Sequence, residues 1–319
     1  MNPDERTQRD RLQGLDPGEY EHPFDKDLLD KLESIPALPY LTKKYFELQW
    51  EKIARITFEG SYLKVDYNNL RHLYEQYLEA CSVLDFHQIP SLYITQDYKI
   101  NAGATGVENA MVYITTGCLE HLTSDELIFI LGHELGHIKS GHVLYREMSR
   151  HFTEIADVIG DITFGIGDLL ATGVEVTLKH WARMSELSSD RAGYLACQTR
   201  DGVMGCLMKM AGFPTNYESG NLYDSFIKQA KDFNTTEYMS LDGFQRINVT
   251  LNRSHPWTVL RASEILEWEE SGQYRDVLSR KFGHKKVSVD SDDEYCGNCG
   301  YRLQAGHNYC GGCGARIDK

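Results

Sequence analysis

The pentapeptide His133-Glu134-Leu135-Gly136-His137 sits inside a long apolar-periodic run, and it constrains the chain more than any other segment. On a helix, histidines four residues apart project from one face, one turn apart. That face can share one zinc ion, and Glu134 between them can reach a water on the metal. The helix has a clear start. Thr123 is placed to cap it, with Glu126 at the third helical position completing a capping box. Leu127, Ile128, Ile130 and Leu131 carry the period into the motif, and the helix is expected to end near Gly141. An HExxH also arises by chance on ordinary helices, so its surroundings decide how it is read.

A catalytic zinc takes three protein ligands and keeps one position open for water. A third histidine in the pattern HExxHxxGxxH is excluded. Ser140 and Val143 stand where that pattern needs glycine and histidine, and Gly141 and His142 are one place out of phase. A later glutamate is the alternative. Glu186-Leu187-Ser188-Ser189-Asp190 places two carboxylates at i and i+4, about 50 residues after His133. Glu186 can ligate the metal, and Asp190 can accept the second ring N–H of a zinc-bound histidine, fixing its tautomer. In isolation such a pair is an ordinary surface feature; behind an HExxH at this distance it reads as part of a metal site. His121, His142, His151 and His180 have no comparable partners and are read as structural or surface residues.

The net charge of −14 over 319 residues argues against general nucleic-acid binding, which wants a basic face. The longest candidate for a membrane span, residues 155–178, carries Asp157, Asp161, Asp168 and Glu175, too many acids for a conventional transmembrane helix. The polar start MNPDERTQRDRLQ has no apolar stretch of the secretory kind, so a soluble cytoplasmic protein is expected. Cys81, Cys118, Cys197 and Cys206 are scattered without ligand-like spacing and are expected to be buried small hydrophobes.

Residues 1–37, charged and proline-bearing, are expected to form an extended or partly ordered arm. Helices are expected over 41–58 and 66–84. Ser91–Thr95 and Met111–Thr115, rich in β-branched and aromatic residues, are expected strands. Asn101-Ala102-Gly103-Ala104-Thr105-Gly106 lies between them, with small residues that let another backbone approach. Mostly helical segments follow to about residue 280, glycine-interrupted near Gly160–Gly173, and the polar run 284–294 reads as a linker.

HExxH followed by ExxxD resembles the HtpX/CAAX-prenyl-protease family of zinc metallopeptidases, a gluzincin family, over about residues 88–265. Asn101-Ala102-x-Ala104-x-Gly106 resembles that family's NAxAxG segment at the cleft edge. His255-Pro256 with Arg261 resembles its HPxxxxR element. The resemblance implies peptide hydrolysis at zinc, with Glu134 as general base and His255 donating to the oxyanion. It implies that Arg261 buttresses the site, and that Asn101, Ala102, Gly103 and Ala104 bind substrate by strand addition. The acidic stretch where relatives often carry membrane spans makes a prenylated substrate a poor fit.

Cys296-Gly297-Asn298-Cys299 and Cys310-Gly311-Gly312-Cys313 form CxxC-x10-CxxC, the ligand set of a closed, four-thiolate zinc ribbon. Five basic and five acidic residues from Lys285 to Lys319 leave it no basic face, so a protein-interaction role is expected.

These readings combine into an α+β, mainly helical, zincin-like metallopeptidase domain with a small β-sheet. The expected division is an arm (1–37), peptidase domain (38–283), linker (284–294) and four-cysteine zinc ribbon (295–319). The expected activity is that of a zinc endopeptidase acting on protein or peptide substrates, with one catalytic and one structural zinc. The alternatives are a protein-binding or holdase-type module with little turnover, and a ribbon-guided nucleic-acid-associated factor. Glu134 counts against the first and the acidic balance against the second.

Overall fold

The computed structural model describes residues 9–36, 38–155, 167–213, 221–233 and 257–279. In chain order the elements are α1 (Pro23–Glu33), α2 (Leu38–Glu47), α3 (Trp50–Ser61), β1 (Leu63–Lys64), α4 (Arg71–Val83), β2 (Ser91–Thr95), β3 (Ala102–Thr105) and β4 (Met111–Thr115). There follow α5 (Thr116–His121), α6 (Ser124–Lys139), α7 (His142–Arg150), α8 (Gly167–Cys197), α9 (Arg200–Met210), α10 (Leu222–Asp232), α11 (Thr258–Glu270) and α12 (Gln273–Leu278). The architecture is α+β and mainly helical, with one four-stranded sheet in the order β1-β2-β4-β3.

Helix α6 starts as its sequence requires. The Thr123 hydroxyl accepts from the Glu126 N–H, and the Glu126 carboxylate accepts from the Thr123 N–H. It runs through Lys139, and Gly141 then takes a left-handed conformation (φ +70°) that a side chain would strain. That turn sends α7 back from the end of α6.

The central packing is α6 against α8, and it is unusually close. A Cβ at Gly132 would lie 2.3 Å from the Ala196 methyl, and one at Gly136 2.6 Å from the Ala192 methyl. A Cβ on Gly193, from the α8 side, would meet the Phe129 carbonyl at 2.7 Å. Small residues on both faces therefore bring the HExxH helix against the one bearing Glu186 and Asp190. The main core surrounds this pair, with Leu127, Phe129, Leu131 and Leu135 of α6 meeting Ala192, Leu195 and Ala196 of α8.

The sheet lies beside α6. Strands β2 and β4 are parallel, and β3 pairs antiparallel with β4 (Ala102↔Ile114, Gly103↔Tyr113, Ala104↔Val112, Thr105↔Met111). Both expected strands have the predicted bounds, and the small-residue segment supplies β3 at one end of the sheet.

The N-terminal segment, expected to be an extended or partly ordered arm, is packed into the fold over its described residues. Leu12, Leu15, Tyr20 and Leu32 are buried, and α1 packs along α8. Arg9 bonds Glu79, Asp125 and the Cys197 carbonyl, while Arg191 donates to the carbonyls of Tyr20 and Glu21. A few well-spaced apolar residues and specific polar bonds anchor a segment whose overall composition is that of a solvated tail. The helix expected over 41–58 is two helices, broken where Gln49 adopts a left-handed conformation (φ 53°). The helix expected from residue 66 begins at Arg71, because Asp66 and Asn69 accept backbone N–H groups in a turn before it.

All four scattered cysteines are buried and free. No helix among the described residues is long and apolar enough to cross a membrane. The linker, the four ribbon cysteines and most of the acidic stripe near residue 160 lie outside the described residues.

Gly132→Ala should destabilise the protein by about 1–3 kcal/mol through overpacking, although alanine is intrinsically the better helix former by about 1 kcal/mol. Adding Ala196→Gly removes the methyl in its way. Urea midpoints should therefore show the double variant less destabilised than the two single changes summed.

Candidate metal centre

Helix α6 presents His133 and His137 on one face, and α8 brings Glu186 to them. His133 Nε2 is 3.4 Å from Glu186 Oε2, and His137 Nε2 is 3.2 Å from Glu186 Oε1. The ligand atoms of all three lie within 4.8 Å of one another, and all three residues are buried. Donors about 2.0–2.2 Å from a tetrahedral zinc stand roughly 3.3–3.6 Å apart, close to these separations. His137 Nε2 and Glu134 Oε2 are among the buried atoms that lack a hydrogen-bond partner. Leaving such atoms unpaired is costly, and a cation with a coordinated water would satisfy both. Two imidazoles and a carboxylate form a donor set suited to zinc.

The structure brings Asp190 and Arg261 to His133. Its Nδ1 is 2.9 Å from Asp190 Oδ1, which leaves Nε2 for the metal. Arg261, on α11, donates from Nη2 to Asp190 Oδ1 (2.5 Å) and from Nε to Oδ2 (2.7 Å). Burial works to raise the Asp190 carboxyl, but the Arg261 charge and bonds, with His133, hold it below its usual range. Burial lowers the His133 imidazole, and Asp190 and Glu186 more than offset this, pushing it up to about 9. His137 is held well below its ordinary value, by burial first and then by the Arg146 charge. Metal binding at neutral pH would therefore displace a proton from His133.

Sequence reasoning missed three contributors. His142 is fully buried, with Nδ1 3.1 Å from His137 Nδ1. Asp25 Oδ2 lies 3.1 Å from His142 Nε2. Arg146, on the next turn of α7, bonds Glu186. Nothing in residue spacing marks Asp25, and only the one-residue separation of Gly141 from His142 hints at a histidine folded back onto α6. His151 stacks on Trp50, as a structural residue would.

Strand β3 sits beside α6. Thr115 N donates to the Asn101 carbonyl, while Asn101 N donates to Thr115 Oγ1, so Asn101 bonds inward to β4. By antiparallel alternation Gly103 also bonds inward, and Ala102 and Ala104 turn their backbone groups outward. Asn101 and Ala102 are half-buried; Gly103 to Thr105 are buried, with α7 alongside. The absence of a side chain at Gly103 serves the Tyr113 ring, which would lie 2.5 Å from a Cβ there. His255 lies outside the described residues, as do Cys296, Cys299, Cys310 and Cys313.

A buried HExxH helix with a glutamate from a later helix is the active-site frame of a zinc metallopeptidase, and comparison with known proteins gives the family. The profile of peptidase family M48 matches residues 68–269. The chain belongs to that family. It is 33% identical over 269 residues to the plastoglobule-localized metallopeptidase 48, chloroplastic, of Arabidopsis thaliana, covering 83% of this chain and 76% of that protein. Shorter stretches resemble protease HtpX of Xylella fastidiosa (39% over 57 residues; 17% of this chain and 20% of that one). An HtpX homologue of Pediococcus pentosaceus matches at 35% over 79 residues, covering 24% of this chain and 25% of that one. No solved structure matches. The protein is a metallopeptidase of the zinc-dependent, HtpX-like type.

Arg261→Met would leave the Asp190 carboxylate buried without its cation, a change that typically costs about 3–5 kcal/mol. Because the folded carboxyl is depressed, its contribution is complete above its unfolded pKa of about 4 and is lost as pH falls through the lowered value. Urea unfolding should therefore show the full difference from wild type at pH 7, narrowing only in acid.

Proposed function

We propose that this protein is an endopeptidase that cleaves protein substrates presented in extended form, with His133, His137 and Glu186 holding the zinc and Glu134 as general base. The observation that carries the reading is the convergence of those four side chains in one buried cluster, with Glu134 Oε2 unpaired. Zinc, when bound, supplies Lewis acidity that polarises the scissile carbonyl and makes water at the site more acidic. Glu134 takes the proton of the attacking water and returns it to the leaving amine. Asp190, braced by Arg261, keeps His133 in the tautomer with Nε2 free.

Substrate adds to β3 through the outward backbone groups of Ala102 and Ala104, starting at the more open Asn101–Ala102 end, which supports contacts tolerant of many sequences. His255 donates to the oxyanion, a role supported by the HPxxxxR resemblance with Arg261 at its observed place. Cys296, Cys299, Cys310 and Cys313 hold a second, structural zinc, and the ribbon they form recruits the substrate or a partner protein. We place the activity in the cytoplasm, and fractionation would discriminate this from the plastoglobule named for the Arabidopsis relative. A binding module with little turnover would have no use for a general base.

The test is hydrolysis of unfolded casein with and without a chelator. Glu134→Gln should retain zinc and lose about 10²–10⁴ in turnover; cleavage at the wild-type rate would exclude the proposed chemistry. Glu186→Ala should instead lose the metal from this site. Metal analysis should return two zinc ions for the full chain and one after deletion of residues 290–319. That deletion should leave hydrolysis of a short peptide within a few-fold of wild type.

A further inference from the structure

The two histidines of the centre are supported differently. His133 has a carboxylate directly on Nδ1, braced by an arginine. His137 has another imidazole there, followed by a carboxylate from the N-terminal helix α1. We propose that His142 and Asp25 are positioning residues for the metal ligand His137, acting as a relay whose proton positions are set by the metal. The proposal rests on the metal-centre reading above.

A neutral histidine that binds metal through Nε2 carries its proton on Nδ1. His137 Nδ1 must therefore donate, and its neighbour at 3.1 Å, His142 Nδ1, must accept. The His142 proton is then on Nε2, and Asp25 Oδ2 lies 3.1 Å from that nitrogen. The approach is oblique, since His142 Nε2 has no well-directed hydrogen bond, so this link is the weaker of the two. The Asp25 carboxylate is itself placed from α8. Ser188 donates to Asp25 Oδ2 at 2.5 Å and accepts from the His22 backbone N–H at 2.9 Å. Ser188 lies midway between Glu186 and Asp190, so the turn that carries the third ligand also holds the far end of the relay.

The His142 ring is fixed independently of these bonds. The left-handed turn at Gly141 sets it against the last turn of α6, and it meets Trp181 edge-on at 5.5 Å, 85° between planes. Asp25, His142 and Ser188 are all essentially inaccessible to solvent. Asp25 also lies outside residues 68–269, so the relay recruits a segment beyond the matched family domain to the metal centre. Loss of such an outer partner typically lowers metal affinity about 10–100-fold.

The experiment uses the full-length chain stripped of metal, titrated with zinc against a chromophoric chelator, and in parallel with cobalt read by its visible absorption. Glu186→Ala defines the background, including metal held by the tail cysteines. His142→Phe removes the acceptor while keeping an aromatic ring, and should weaken zinc binding about 10–100-fold and shift the cobalt bands. His142→Asn sets an amide oxygen near the former Nδ1 position and should recover most of the loss and the wild-type spectrum. Asp25→Ala, which alters no ring packing, should weaken zinc about tenfold and serves as the test should His142→Phe fail to fold.

Wild-type affinity and spectrum in His142→Phe or in Asp25→Ala would overturn the relay. Equal losses in His142→Phe and His142→Asn would also overturn it, since packing alone would then explain them. If the wild type holds no more zinc than Glu186→Ala, the metal-centre reading itself fails and takes the relay with it.

Discussion

The near-contact of α6 and α8 is the constraint on which the rest of the structure depends. Gly132 and Gly136 oppose the methyls of Ala196 and Ala192, Gly193 opposes the Phe129 carbonyl, and the Cβ positions they omit would fall 2.3–2.7 Å from those atoms. Side chains of ordinary size would hold the helices at the 8–10 Å typical of packed pairs. His133, His137 and Glu186 converge because the backbones come this close. The glycines of an HExxH helix are usually read as weak helix formers; here Gly132 and Gly136 determine whether Glu186 reaches His133 and His137.

That convergence concentrates charge where water is absent. Glu134, Glu186, Asp190, Asp25, Arg261, His133 and His137 are all buried within a few helical turns. Burying a charge is costly unless it is paired and hydrogen-bonded, and the structure pairs them selectively. Asp190 takes three contacts from Arg261 and His133, and Glu186 is met by Arg146. His137 Nε2 and Glu134 Oε2 are among the atoms that remain without a hydrogen-bond partner, and a metal with its water would engage both.

How much of this was legible in the sequence depends on the range of each interaction. The Thr123–Glu126 capping box, the i,i+4 histidines and the Glu186/Asp190 pair each lie within a turn or two, and their spacing carries the geometry. The strands at 91–95 and 111–115 were legible because β-branched and aromatic residues crowd into five positions. Arg261 was found through a resemblance and not through periodicity. The N-terminal segment was misread because its apolar residues are few and its anchors are polar: Arg9 reaches Glu79 and Cys197, and Asp25 reaches His142. Those bonds span more than a hundred positions in two cases, and composition holds no record of them. His142 was misread for a related reason, since its partner across Gly141 is five residues away but on a different helix.

The unequal support of the two histidines has a physical consequence. A carboxylate set directly on His133 Nδ1 raises that imidazole's affinity for a proton, and together with Glu186 it outweighs burial and pushes the group up to about 9. His137 is buried and lies beside the Arg146 charge, which together hold its proton affinity low. Interposing His142 between Asp25 and His137 keeps the orienting effect of a carboxylate while moving its charge one ring further from the metal ligand.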